Sequence, residues 1–213
     1  MLRATVWVIV VCAIICMIAG SAFADRLILT PTGKTLSTGG IKAEALLKAD
    51  GDGQAYWINA GISRFEVEGA RFQDFGADDV DSISAQISIL PETSFTPAIS
   101  IGGRDLSDET KDKGALYNGR AFYVAATKSV PVTGGIPIIL QDVKVHGGIG
   151  TNSLSGLFFG AEGRLFGGIN LSAEYDTEDF NFAAAYGIIP TLRAEVASIK
   201  GDFFFGAKFS TSF

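Results

Sequence analysis

The chain has 213 residues, of which 17 are basic and 23 acidic, and its formal net charge is −6. This acidic balance, with no basic run, argues against a nucleic-acid partner, because phosphate neutralisation needs clustered Lys and Arg. Gly is abundant (26 residues), Pro is scarce (6), and no Gly-X-Y repeat is present. This composition excludes a collagenous chain and suits many strands joined by tight turns.

The N-terminus has the pattern of a secretory signal peptide. Arg3 precedes an almost wholly apolar stretch at 6–18, and small residues follow at 21–24. We expect cleavage before Asp25, so residues 1–24 are the predicted signal peptide. A retained transmembrane anchor is the alternative, but the stretch is shorter than the ~20 residues that a span needs.

The predicted mature chain has no cysteine, because Cys12 and Cys16 both lie in the signal. It therefore has no disulfide and no Cys-type zinc site. Its 16 basic and 23 acidic residues give a net charge of −7. Residues 25–40 are predicted to be a periplasmic lead-in, with a turn at Thr30-Pro31-Thr32-Gly33.

From residue 41 onward the chain alternates apolar and polar residues, which is the period of a β-strand. Turn residues separate nearly all of these segments, and none shows a helical period over helix length. The pattern predicts an all-β fold, a transmembrane antiparallel β-barrel of about 12 strands (10–12) at residues 41–213. The segments are 41–48, 56–63, 65–69, 82–89, 99–104, 120–128, 142–149, 157–164, 169–176, 180–186, 192–196 and 203–213.

The final segment is the most informative, because its aromatic residues share one face and the chain ends on Phe213. It resembles the closing strand of bacterial outer-membrane barrels, in which such a strand is recognised by the barrel-assembly machinery. The resemblance implies that Phe205, Phe209 and Phe213 form the assembly signal. A soluble β-sandwich would alternate too. Aromatic residues near strand ends, where an interfacial girdle would lie, favour the membrane barrel.

In a membrane barrel the apolar faces contact lipid and the polar faces line the lumen. In the clearest segment Ile83, Ala85, Ile87 and Ile89 are therefore expected to face lipid, with Ser82, Ser84, Gln86 and Ser88 opposite. The sixth segment is apolar on both faces and leaves its orientation open. The predicted charged residues of the lumen are Arg104, Lys144, Glu162, Arg164, Glu174, Arg193, Glu195 and Lys208.

These charges have two interpretations: salt bridges that hold the barrel closed, which we favour, or a constriction that selects solutes. The single histidine, His146, could serve a lipid-modifying hydrolase, but no motif indicates a triad. A lumen or loop histidine is the prediction, and no catalytic residue, metal site or cofactor is expected. The acidic turn at 50–53 lacks the later glutamate of an EF-hand, so plain turn chemistry is expected there.

Four segments together resemble the YjbH-like family of outer-membrane proteins, which is associated with exopolysaccharide production. They are Thr30-Pro31-Thr32-Gly33, residues 97–105, residues 121–128 and residues 171–176. The resemblance implies one short barrel unit and no established catalytic residue.

The sequence thus predicts a non-enzymatic outer-membrane barrel that assists export or passage of an envelope polysaccharide or a small solute. The alternative is a structural or surface-interaction barrel with a plugged lumen that presents loop 106–118 outside. A lipid-modifying enzyme is the third. Expected partners are outer-membrane lipid, the barrel-assembly machinery and, for passage, a polysaccharide or small solutes.

Overall fold

The chain forms one closed barrel of twelve antiparallel strands in a computed structural model that describes residues 26–75, 79–131 and 140–212. The predicted signal peptide, Asp25 and Phe213 lie outside the described residues. No described helix is long and apolar enough to cross a membrane. The strands are β1 (Ile41–Lys48), β2 (Gln54–Ile62), β3 (Phe65–Gln73), β4 (Val80–Leu90), β5 (Ala98–Arg104), β6 (Ala121–Val130), β7 (Leu140–Gly150), β8 (Gly156–Leu165), β9 (Ile169–Tyr175), β10 (Phe180–Ile189), β11 (Leu192–Ile199) and β12 (Asp202–Thr211).

The barrel closes by pairing its first and last strands. Ile41 of β1 lies opposite Thr211 of β12, and the pairing continues to Lys48 opposite Phe204. Closure leaves no unpaired strand edge, which is the condition for a sheet to span lipid. The predicted barrel of about twelve strands is confirmed. We call the end that holds Ile41 and Thr211 the periplasmic end, following the expected orientation, and the opposite end the outer end.

The two faces of the wall follow the period-two pattern. In β4, Ile83 is 55% exposed on the outside of the barrel and its neighbour Ser82 is 2% exposed in the lumen. Ala85 and Ile87 continue the outer row, while Ser84 and Gln86 continue the buried one. Large apolar side chains cover the outer surface all round the barrel, among them Ile58, Val124, Leu157, Phe182 and Phe205.

The sixth segment is resolved by the fold. Ala121, Tyr123 and Ala125 of β6 are buried in the lumen, and Phe122 and Val124 are about half exposed on the outside. Both rows are apolar because this part of the lumen packs a small cluster in which Tyr123 meets Phe158 of β8 and Leu154. The alternation in β6 is therefore one of environment and not of polarity.

The lead-in differs from its prediction. Residues 26–36 lie inside the barrel, where Arg26, Thr30 and Leu36 are 9%, 0% and 1% exposed. In an eight-stranded barrel the side chains of the wall fill the lumen. Twelve strands enclose a wider lumen, which the side chains of the wall alone do not fill. The N-terminal segment occupies that space. The predicted turn also shifts: the chain reverses at 27–30, where the Leu27 N–H donates to the Thr30 carbonyl at 2.8 Å.

The lumen is also less polar than the alternation implies. Inward-facing residues near the outer end form an apolar core with the N-terminal segment, and Phe72, Ile199 and Phe204 are each at most 1% exposed. Arg71, next to Phe72, points outward and pairs with Asp79 and Asp81. The period of β3 thus continues while its polarity inverts, because here the inside is packed and the outside carries charges.

Candidate functional site

Residues 26–36, which we call the plug, fill the middle of the lumen. Arg26 and Pro31 face each other across the reversal at 27–30. Leu27, Ile28 and Leu29 at its tip are 6%, 3% and 2% exposed. Burying a segment with so many backbone donors requires wall groups that accept hydrogen bonds.

Glu174 of β9 supplies the main acceptor. Its carboxylate accepts the backbone N–H groups of Ile28, Leu29 and Thr30 at 2.9, 2.7 and 3.1 Å, and the Thr30 hydroxyl at 2.8 Å. Successive N–H groups that converge in a turn form a natural anion-binding nest. Glu174 is only 2% exposed, so these bonds and one from Asn181 compensate the burial of its charge.

Arg26 anchors the other side of the plug tip. Its guanidinium pairs with Glu44 at 3.0 Å and with Glu68, and it lies 4.0 Å from the centre of the Trp57 ring. Two carboxylates and an aromatic face around one buried cation satisfy both its charge and its donors. Asn59 fixes the wall side by donating to both Glu68 and Glu66.

The lower part of the plug lies close against the wall, and its backbone groups form hydrogen bonds with side chains of the wall. The Gly33 N–H donates to the Thr127 hydroxyl at 2.8 Å, and the Leu36 N–H donates to Glu66 at 2.7 Å. The Ser100 hydroxyl donates to the Thr32 carbonyl at 2.7 Å. A Cβ at Gly33 would lie 2.4 Å from the Ala98 carbonyl oxygen, so only glycine fits.

An ion pair holds the plug at the periplasmic mouth. Lys34 contacts Glu92 at 2.6 Å, in the connection between β4 and β5. Glu92 also accepts the backbone N–H and the hydroxyl of Ser129 at 2.6 and 3.0 Å. Burial raises the pKa of Glu92, but Lys34 and the Ser129 donors outweigh it and hold this pKa at about 2, below its ordinary 4.5.

The long outer loop, residues 105–120, folds inward over the plug. Its Tyr117 is 2% exposed and packs edge-on against Phe72 with ring centres 5.0 Å apart. Burial raises the pKa of the Tyr117 phenol. Asp105 organises the loop by accepting hydrogen bonds from Ser107 and Thr110. Burial raises the pKa of Asp105, but these hydrogen bonds together outweigh burial, so the pKa lies below its ordinary value. The loop predicted to be displayed outside therefore contributes partly to closure.

The structure places all eight predicted charged residues on the lumen side, in three groups. Arg104 and Glu174 contact the plug directly. Glu195 and Lys208 pair at 2.8 Å, and Lys144 and Glu162 pair at 2.6 Å. Arg164 and Arg193 line a cavity of about 620 Å³ at the periplasmic end, which Lys144 and Glu162 also line. A second cavity, of about 530 Å³, lies at the outer end.

His146 lies in the lumen wall, 7% exposed. Its Nδ1 is 2.9 Å from the hydroxyl of Thr127, and its Nε2 is 3.8 Å from Glu162. A hydroxyl, a histidine and a carboxylate in a row resemble a triad, but Thr127 is 1% exposed and already accepts the Gly33 N–H. This arrangement supports the plug and offers no open nucleophile.

The acidic turn at 50–53 follows turn chemistry. Asp50 pairs with Lys48 at 3.1 Å and accepts the Asp52 N–H at 3.3 Å. The Lys48 partner is the main cause that lowers the pKa of Asp50. The carboxylate is thus engaged within its own turn, as Asp side chains commonly are.

The predicted lumen residues do not include Glu44, Glu66 and Glu68, three carboxylates that hold the plug. Glu44, Glu66 and Glu68 were visible as charges on the polar faces of their strands, and the alternation could have nominated them. Arg26 carried no local signal, because its partners lie 18 and 42 positions later in the chain.

Comparisons with known proteins agree with the barrel. No family model matches the chain, and no curated protein matches it. Among solved structures, the KdgM porin superposes with a TM-score of 0.52 at 13% identity, covering 82% of this chain and 99% of its own. The chain has the fold of an outer-membrane β-barrel. Two mutant forms of the Rh. blastica porin also match, at TM-score 0.33 and 13% and 14% identity, over 75% of this chain and 55% of theirs. At such identities the likeness shows the fold alone. The resemblance to YjbH-like proteins stays a prediction.

Proposed function

We propose that this barrel is a non-enzymatic, gated channel for small polar solutes, closed in the described state by its own N-terminal plug. The observation that carries the proposal is the placement of the plug between two cavities. One opens at the outer end beside Arg104, and the other opens at the periplasmic end beside Arg193. Charged and polar side chains line both cavities, as a path for polar solutes requires.

The attachment of the plug suits a removable element. No strand of the barrel includes residues 26–36, and the plug meets the wall through side-chain acceptors such as Glu174, Glu66 and Thr127. Breaking those contacts leaves all twelve inter-strand ladders intact. The lumen that the plug vacates would join the two cavities. The fold shared with the KdgM porin supports a passage role by analogy.

The second candidate is a structural barrel that stays plugged. The apolar core at the outer end favours it, because Leu29, Phe72 and Phe204 lie in one cluster and are each at most 2% exposed. Displacing the plug exposes this apolar surface, which costs about 25 cal/mol for each Å². Opening would then be rare without a trigger.

Export of an envelope polysaccharide rests only on the YjbH-like resemblance. A polymer needs a continuous lumen, and in the described state residues 26–36 occupy it. Small solutes are therefore the better-supported cargo, and passage of a polysaccharide is a separate proposal that rests on the family resemblance.

Planar-bilayer conductance separates these possibilities. We expect the refolded chain from residue 25 to be silent or to open rarely, and the same chain without residues 26–36 to give stable conductance steps. Glu174→Gln keeps the plug but weakens its dock, and should give intermediate opening.

The matched control is Glu109→Gln, the same chemical change at an exposed position of the outer loop that lines neither cavity. It should behave as the unaltered chain. A correctly refolded barrel that stays silent without residues 26–36 would reject passage and leave the structural barrel.

A further inference from the structure

We propose that the outer cavity is a binding site for an oxyanion group, a carboxylate or a phosphate, with Arg104 as the anchoring cation. The cavity of about 530 Å³ is within the range of small-molecule sites. Its floor includes Arg104, and residues of the surrounding outer loops, among them Asn118, Arg120 and Asn152, form its sides. The site does not require the lumen to open, so it stands apart from the proposed channel.

Arg104 is a buried cation without a directly paired anion, because the buried carboxylates of Asp176 and Glu174 act on its charge only from beyond ion-pair distance. It is 7% exposed, and no described carboxylate lies within 4.0 Å of its guanidinium. Its partners are neutral and distant: the Leu29 carbonyl at 3.4 Å, and the carbonyl and hydroxyl of Ser153 at 3.2 and 3.4 Å. Its Nε has no hydrogen-bond partner among the described residues. A buried charge with an unused donor and no direct ion pair is costly.

Arg26 provides the internal comparison. It is buried to nearly the same extent, at 9% exposed, and lies over an aromatic ring as Arg104 does. The wall gives Arg26 two carboxylates, Glu44 and Glu68. Among the described residues it gives Arg104 no carboxylate within 4.0 Å, and Arg104 faces a cavity whereas Arg26 is enclosed. Arg104 therefore has room for a direct counter-charge from a ligand, in addition to the more distant Asp176 and Glu174.

The acidic groups of the cavity are already engaged. Asp176 accepts the N–H groups of Glu178 and Asp179 in its own turn, and a further bond from Asn181. Asp108 accepts the Arg120 N–H at 2.8 Å, and Glu178 pairs with Lys200 at 3.6 Å.

The two arginines of the cavity are less engaged than Lys200, which pairs with Glu178. Among the described residues the side chain of Arg120 has no ion pair, and its Nε lacks a hydrogen-bond partner. The cavity therefore presents two guanidinium groups to an incoming ligand. A guanidinium offers paired N–H donors that match a carboxylate or a phosphate. The Tyr117 ring, 4.6 Å from the Arg104 guanidinium, holds its plane in place.

Such an oxyanion has two sources: a small solute in the medium, or the phosphate of a lipid headgroup. Titration of the chain from residue 25, refolded in an uncharged detergent at constant ionic strength, distinguishes them. The probes are inorganic phosphate, citrate and a short-chain phosphatidylglycerol below its micelle concentration. Trp57 is the only tryptophan of that chain, and its Nε1 donates to the Tyr117 hydroxyl at 3.4 Å, so its fluorescence reports on the cavity floor.

We expect saturable binding of at least one probe, weakened about tenfold or more by Arg104→Gln and several-fold by Arg120→Gln. Arg104→Lys should restore part of the affinity, because it returns the charge without the planar pair of donors. Arg71→Gln, on the outer rim and paired with Asp79 and Asp81, is the matched control and should bind as the unaltered chain does.

The probes that bind assign the source. Binding of phosphate or citrate that depends on Arg104 supports a soluble ligand, and binding of phosphatidylglycerol alone supports the lipid headgroup. Absence of saturable binding for all three probes overturns the proposal. The proposal is also overturned if Arg104→Gln and Arg120→Gln both bind the probe as tightly as the unaltered chain does. Should the Arg104 variant fail to fold, the Arg120 variant alone decides.

Discussion

Glu174 accepts hydrogen bonds from both the backbone N–H and the hydroxyl of Thr30, at 3.1 and 2.8 Å, across 144 positions of the chain. This contact joins the N-terminal segment to the ninth strand and decides where the lumen is closed. The surrounding wall is a standard alternating barrel, and the plug turns it from an open cylinder into a packed one.

The first prediction concerns this dock. Glu174→Gln replaces one carboxylate oxygen by an N–H₂ group that faces other donors, and the plug should lose about 2 kcal/mol of docking free energy. Amide hydrogen exchange at residues 28–30 should then quicken by about 30-fold. Exchange measured by mass spectrometry on the refolded barrel tests this. Equal protection in both chains would mean that Glu174 does not hold the plug.

The second prediction concerns Gly33. In Gly33→Ala the new methyl would lie 2.4 Å from the Ala98 carbonyl oxygen and 2.5 Å from the Thr127 nitrogen, both backbone atoms of the wall. The plug must shift away, so its amides should exchange faster and channel openings should become more frequent. Gly187→Ala is the control, because no atom lies within 4 Å of the place that a Cβ would take there. Similar behaviour of the two variants would argue that the plug is loosely seated.

The third prediction tests the two faces of the wall. Ile87→Arg places a charge in the lipid and should lower the unfolding free energy by ~2–4 kcal/mol near the midplane. Gln86→Arg points into the lumen, where the Gln86 amide already donates to Glu66 at 3.2 Å, and should cost much less. Denaturant unfolding in lipid vesicles measures both. Equal losses would mean that the lipid and lumen faces are assigned wrongly.

The fourth prediction is a pH dependence at the periplasmic mouth. The pKa of Glu92 is lowered from 4.5 to about 2, so its contribution is fully present above pH 4.5 and is lost as the pH falls towards 2. Acidification through this window should release Lys34 and loosen residues 32–36. Corrected for the intrinsic pH effect, exchange at the Ser129 amide should rise there. Glu92→Gln should show raised exchange already at neutral pH, and a flat profile in the unaltered chain would contradict the prediction.

The four segments that carried the family resemblance meet in the lumen. Thr30 contacts Glu174, Thr32 contacts Ser100, and Gly33 contacts Thr127. Each of these partners lies in one of the other three segments. The first segment therefore belongs to the plug, and the other three provide part of the wall to which it docks. The spacing of the segments along the chain does not predict this contact.

The sequence by itself determined the wall. The number of strands, the outward row of Ile83 and Ile87, and the inward placement of Glu174 and Glu195 follow from period-two alternation, because successive side chains of one strand must point to opposite faces. This alternation depends only on the geometry of the single strand, so it can be read from the sequence of each strand without its neighbours.

Only the tertiary structure decided what fills the lumen. The space inside depends on how many strands close and on their tilt, and both are properties of the whole barrel. The plug, the partners of Arg26 and the packed outer half around Phe72 and Phe204 all arise from that space. Arg26 lies far along the chain from every carboxylate it meets, so no local pattern could assign its role; closure of the barrel brings them together.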